Sequence, residues 1–191
     1  HIPIVTVYNR ISDKFTHVDV DGRLIMRNAV QRMVEKGYRR ILYLDLGYGT
    51  PCDQKNNRYS LNQRRQGYMD GMRQEGLGKP EILVNYDWEP IEAFLMAEGG
   101  KPAILCPFDD VAVHVMNLLR KHGISVPDQA GIMGFDNISI LDSISPRLCS
   151  VDCEITNLGT KAFSALLQII QGDEMVRDYV TSYSFTEGES L

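Results

Sequence analysis

A chain of 191 residues, 43% of them hydrophobic and 24% charged, is long enough to bury one sizeable core. Its formal net charge of -5 argues against the chain presenting a nucleic-acid-binding surface of its own. No apolar run approaches the roughly 18 residues of a membrane span, and the opening HIPIVTVYNR has no basic segment followed by an apolar one, so no signal peptide is expected.

Ile2 to Tyr8 is β-rich and bounded by Asn9-Arg10, which predicts a strand. Asp21 suits the N-cap of a helix through about Lys36, with Ile25, Ala29 and Met33 on its apolar stripe and Gly37 ending it. Arg40 to Leu46 is the next buried strand. The Gly47-x-Gly49 that follows is not a dinucleotide fingerprint, because position 52 is Cys and Pro51 delays the helix that must open there. Ser60-Leu61-Asn62-Gln63 fits a capping box and opens a helix to about Glu75, with Arg64 and Arg65 in its first turn. A cation there opposes the helix dipole. Gly67 and Gly71 share a face of that helix, and each costs about 1 kcal/mol against Ala, so close backbone packing is expected.

Glu81 to Tyr86 reads as a strand, and Asp87-Trp88-Glu89-Pro90 opens a helix through about Glu98. Lys101 to Asp136 then forms one βαβ unit. Pro102 to Cys106 is a buried strand, Pro107 suits a first helical position, and Asp109 and Asp110 fall in the first turn. Val111, Val115, Leu118 and Leu119 recur at helical spacing until Gly123 and Pro127 stop the helix. Ala130 to Phe135 is the second strand, with Asp136 just beyond it. Ile138 to Leu141 suggests a helical turn and Ser145 to Val151 an extended crossover. Thr156 caps a last helix ended by Gly172, and the alternation of Tyr179, Thr181, Tyr183 and Phe185 predicts one closing strand. The fold class is α/β: a doubly wound parallel sheet with a crossover near 145–155.

Phe108-Asp109-Asp110 and Asp136-Asn137 thus lie at the carboxyl ends of two parallel strands, where open α/β sheets bind ligands. The competing reading is that Asp109 and Asp110 only cap a helix and Asp136 only ends a strand. Trp88, the one tryptophan, could be core or a stacking wall. A carboxylate, a forked cation and an aromatic face around one cleft suit a polyol. The four cysteines, Cys52, Cys106, Cys149 and Cys153, make no CxxC and no zinc spacing, and are expected as free thiols. Neither a metal nor a cofactor is expected. No GxSxG, P-loop or HExxH is present, and His114 and His122 have no partner at ligand spacing, so no catalytic residue is assigned.

Several segments occur in a telling order: Ile2-Pro3-Ile4-Val5; Gly37-Tyr38-Arg39-Arg40-Ile41; Arg64-x-x-Gly67-Tyr68; Pro102-Ala103-Ile104 leading to Asp109-x-x-Ala112; Gly123-Ile124-Ser125-Val126-Pro127-Asp128; and Ile132-Met133-Gly134-Phe135-Asp136-Asn137. In this the chain resembles the effector-binding region of the LacI/GalR family of bacterial transcription regulators, whose fold is the type I periplasmic-binding-protein fold. The resemblance implies mainly the C-terminal lobe, 9–145 and 175–191, with 1–8 and 146–174 as crossover and N-terminal-lobe elements. It implies a sugar-like effector held by Arg64, Asp136, Trp88, Phe108, Asp110 and Ser60, and a homodimer through Val113 and Ile144. DNA would be bound only through a helix-turn-helix not present in this chain, and the protein would be cytoplasmic, with no membrane partner. A periplasmic sugar-binding protein of the same fold is the alternative. Tyr38 for the usual His, Phe108 for the common Asn and Arg147-Leu148-Cys149-Ser150 for the usual L-T-T depart from the family pattern.

Overall fold

The computed structural model describes residues 2–45, 59–172 and 176–191. Within them the chain order is β1 (Val5–Val7), β2 (Thr16–Val20), α1 (Gly22–Glu35), β3 (Arg40–Asp45), α2 (Tyr59–Gln74), β4 (Glu81–Val84), α3 (Trp88–Met96), β5 (Pro102–Leu105), α4 (Asp109–Lys121) and β6 (Gly131–Met133). A 3-10 turn (Ser139–Ser143), β7 (Ser150–Asp152), α5 (Ile155–Ile170), β8 (Asp178–Thr181) and β9 (Ser184–Thr186) complete it. Gly47 to Gly49 and Cys52 lie outside the described residues.

Four parallel strands in the order β4-β3-β5-β6 form the central sheet. β3, β5 and β6 are buried on both sides, as near-continuous apolar runs require, while β4 is a more exposed edge. Ile41, Tyr43, Ala103 and Leu105 enter one core with Ile25, Met33 and Tyr68 of α1 and α2. The alternate residues Leu42, Leu44, Ile104 and Cys106 enter a second core with Ile91, Val115 and Leu119 of α3 and α4. The sheet is therefore doubly wound. A second sheet, β1-β2-β8, is also parallel and carries α5 on one face. A short antiparallel pair, β7-β9, runs beside the end of β6, where the Gly134 amide donates to the Cys149 carbonyl at 2.9 Å.

Local chemistry explains most boundaries. The Asp21 carboxylate accepts the Leu24 amide at 2.8 Å and caps α1 as expected. Gly67 and Gly71 lie where α2 crosses α1: a Cβ on Gly67 would sit 2.9 Å from the Arg23 carbonyl carbon, and one on Gly71 2.7 Å from Val30 Cβ. Tyr38 fills space that Gly131 leaves open; a Cβ on Gly131 would meet the ring and hydroxyl at 2.6 Å.

Other expectations fail. The strand Thr16–Val20 was not anticipated, because three of its five residues are polar and yet buried. Thr6 Oγ1 lies 2.9 Å from His17 Nδ1, and the Asp19 carboxylate accepts the Val20 amide, so hydrogen bonds replace hydrophobicity as the sign of burial. The expected closing strand is two strands in two sheets, separated at Ser182 and Tyr183. Ser60 and Thr156 lie inside their helices rather than capping them, and Pro107 precedes the Phe108 N-cap of α4. Because α2 starts at Tyr59, Arg64 stands in its second turn, away from the exposed amides.

Candidate functional site

α2 aims Arg64 beneath the carboxyl ends of β5 and β6, and the side chain is almost wholly buried, with the residue 2% exposed. A buried guanidinium needs compensation. One Nη donates to the Pro107 carbonyl, and the other stands 3.7 Å from Asp136 Oδ1. The guanidinium plane also lies 3.6 Å from the Phe135 ring centroid and 4.6 Å from that of Phe108, with Tyr8 more distant at 6.0 Å.

Asp136 is held by an unusual backbone. Its φ of 107° and the 50° of Asn137 are conformations that side-chain-bearing residues rarely adopt. The Asp136 amide donates to the Val151 carbonyl at 2.8 Å, and Asn137 Nδ2 to Asp152 at 3.1 Å, which pin the turn to β7. Tyr8, at φ 59°, and Glu154, at φ 47°, end β1 and precede α5 in the same left-handed region. Strain of this kind persists only where the surroundings over-determine it, and it gathers at functional sites. Burial pushes the Asp136 carboxyl up to about 6; Arg64 pulls it down, while Asp109 and Asp110 push it further up.

Asp109 has a different task from its neighbour. It is 1% exposed, accepts the Ser150 hydroxyl at 2.6 Å and the Ile138 amide at 2.9 Å, and so ties α4 to β7 and to the loop after β6. Burial raises its pKa, and these hydrogen bonds oppose the rise. Gly134 makes room for it, since an added Cβ would collide with the carboxylate. Asp110 projects from the same turn and is exposed. Phe108, Asp109, Asp110, Asp136 and Ile138 line an open depression of about 390 Å³.

Of the residues expected from the sequence, Arg64, Asp136, Phe108 and Asp110 come together here. Ser60 lies on the same helix one turn before Arg64, where its hydroxyl bonds Asn9 Oδ1 at 3.2 Å. Trp88 is not brought to this cluster. Its ring stacks on His122 at 3.7 Å between centroids and 10° between planes, and His122 ends α4 while the depression is at its start. Val113 and Ile144 line a separate groove of about 310 Å³ with Met116, Arg120, Ile124 and Pro146. Tyr8, Phe135 and Cys153 were missed as site residues. Burial raises the thiol of Cys153 to about 12, with Arg64 and Asp136 within electrostatic reach and the buried Tyr8 hydroxyl beside it. The position of Tyr8 at a parallel strand's carboxyl end was the available signal. Among the described residues, no three His, Cys, Asp or Glu side chains converge to hold a metal ion.

This fold is that of a domain of the periplasmic-binding-protein type. Residues 30–191 match the family model described as a periplasmic binding protein-like domain, and the chain belongs to that family. Its relatives are helix-turn-helix transcriptional regulators of the LacI/GalR type. The regulator AscG of Escherichia coli is 27% identical over 180 residues, 90% of this chain and 51% of AscG. GalR of the same organism is 26% identical over 178 residues, 88% of this chain and 49% of GalR. A periplasmic binding protein/LacI transcriptional regulator from Alkaliphilus metalliredigens, solved with D-xylulofuranose, superposes with a TM-score of 0.81 at 25% identity, over 99% of this chain and 70% of that one. The chain thus spans about half the length of the curated relatives it matches.

Proposed function

We propose that this chain is the effector-sensing and dimerising region of a LacI-type transcription regulator, and that its effector is a small sugar-like molecule. One observation carries the reading: Arg64 and Asp136, 72 positions apart in the sequence, are held 3.7 Å apart beside the face of Phe108. Carboxylate, guanidinium and ring are the groups that receive vicinal hydroxyls and an apolar sugar face. Arg64, Asp136, Phe108 and Asp110 are the contacts, with Ser60 at their edge; no chemistry is performed on the ligand.

On this reading residues 9–145 and 175–191 make up one lobe, and residues 1–8 and 146–174 supply crossovers and part of the other. Effector binding shifts the balance between two lobe arrangements and so the affinity of an attached DNA-binding domain. The groove between Val113 and Ile144 receives a second copy of the chain, and the protein works in the cytoplasm. The likeness to regulators, rather than to transport proteins, favours this over a periplasmic carrier of the same fold.

The test is a thermal-shift screen of the full-length protein against pentoses, hexoses, disaccharides and purines, repeated with Arg64→Ala and Asp136→Ala. A ligand present at 100 times its Kd should add about 2.7 kcal/mol. A sugar that stabilises the wild type and neither variant supports the reading. Equal stabilisation of all three would place the site elsewhere.

A further inference from the structure

The depression beside Asp136 has a marked charge balance. Among the described residues lining it, three are carboxylates, Asp109, Asp110 and Asp136, and none is a cation. Arg64 lies behind them and is committed: it bonds the Pro107 carbonyl, pairs with Asp136 at 3.7 Å, and has Phe135 and Phe108 against its plane. Arg65, the next cation along α2, is half-exposed and stands 3.5 Å from Asp45. Asp109 is also spoken for, by the Ser150 hydroxyl and the Ile138 amide. That leaves Asp110 and Asp136 as the acceptors facing the open volume. Asp110 is exposed at its rim, and among the described residues its Oδ1 accepts only the adjacent Val111 amide.

An incoming phosphate or carboxylate would have to displace Asp136 from Arg64 while standing within a few ångströms of Asp110. A hydroxyl or ammonium group meets the opposite situation, because it donates to both carboxylates, while the apolar face of the same molecule lies on Phe108. Resting on the effector-site reading above, we propose that this site selects uncharged or amino-bearing polyols and rejects phosphorylated and carboxylated sugars, with Asp110 as the residue that sets the charge preference. The preference is built by repulsion as much as by attraction, which is how discrimination between similar ligands is commonly achieved.

Titration calorimetry on the full-length protein tests it, using D-galactose, D-galactosamine, D-galacturonate and D-galactose 6-phosphate, and D-ribose against D-ribose 5-phosphate. An uncharged or amino sugar should bind, with its anionic counterpart weaker by about tenfold or more, as two like charges at this separation near a protein surface imply. Asp110→Asn should narrow that gap by strengthening the anionic partner relative to the uncharged sugar. An anionic sugar that binds as tightly as its neutral counterpart, or a gap that Asp110→Asn does not change, overturns the charge preference while the effector-site reading stands. If no member of the panel binds, the effector-site reading fails and the preference falls with it.

Discussion

Replacing Gly67 by Ala asks whether α1 and α2 meet through their backbones. The new Cβ would stand 2.9 Å from both the carbonyl carbon and the Cα of Arg23, and closer still to the carbonyl oxygen. Ordinary carbon contacts begin near 3.5 Å. The obstacle is helical backbone, which cannot rotate aside as a side chain could, so the helices must part by about 1 Å. Overpacking of this kind costs roughly 1–3 kcal/mol, and contact with backbone puts Gly67→Ala at the upper end. The gain in helix propensity returns about 1 kcal/mol, leaving a net loss of roughly 2 kcal/mol. For a chain of this size that is a fall in Tm of about 4–8 °C. Because Arg64 is three residues away on α2, the same displacement should carry it away from Asp136 and weaken effector binding. Gly159 is the control. It is on α5 with nothing among the described residues within 4 Å of an added Cβ, so Gly159→Ala should raise stability by about 1 kcal/mol. Differential scanning calorimetry measures both. A Gly67→Ala protein as stable as wild type would refute the close crossing of α1 and α2, and with it the rigid placement of Arg64.

Burial holds the Asp136 carboxyl at about 6, so between about pH 4 and 6 the folded state keeps a proton that the unfolded chain has lost. Stability from this group is full below about pH 4 and falls as the pH rises through 6, by roughly 3 kcal/mol in all. Urea titrations from pH 4.5 to 7.5 should show that slope in the wild type and not in Asp136→Asn. Effector affinity should move the other way, rising with pH as the ionised carboxylate becomes available, and calorimetry across the same range would show it. Ser150→Ala removes the hydroxyl that donates to buried Asp109 at 2.6 Å, and should lower stability by about 2 kcal/mol, visible as a lower urea midpoint. Trp88→Phe should leave effector affinity within about threefold of wild type, since Trp88 stacks on His122 rather than lining the depression; a larger loss in calorimetry would show that its ring reaches the ligand.

What could be read from the sequence followed the strength of periodic burial. The central sheet and its helices were legible because Ile41 to Leu44 and Ala103 to Cys106 are uninterrupted apolar runs, buried on both faces and alternating with helical spacing. The strand Thr16–Val20 was not, because His17 and Asp19 are buried through hydrogen bonds to Thr6 and to backbone rather than through apolar surface. Hydropathy reports only the second of these routes into a core. Nor could the split of the last strand be seen. Tyr179, Tyr183 and Phe185 all pack against one core although Tyr179 belongs to the sheet with β1 and Phe185 pairs with Val151. A continuous alternation therefore conceals a change of sheet.

The site was legible where a strand end announced it and illegible where only the tertiary fold assembles it. Asp136 and Asp110 follow strands whose carboxyl ends must share one edge, so their meeting is a consequence of parallel topology. Phe135 looked like the last residue of a core strand, and it is one. Its ring nevertheless lies 3.6 Å from the Arg64 guanidinium, and this contact is part of what allows a cation to remain buried there. Aromatic residues around the guanidinium do two jobs at once: they exclude water, which strengthens the pairing with Asp136, and they fix the plane in which the remaining N–H groups point. A lysine at position 64 would keep the charge but lose both the plane and the stacking. The burial of Arg64 thus makes Asp136, rather than the arginine, the more open of the two polar groups to an arriving ligand.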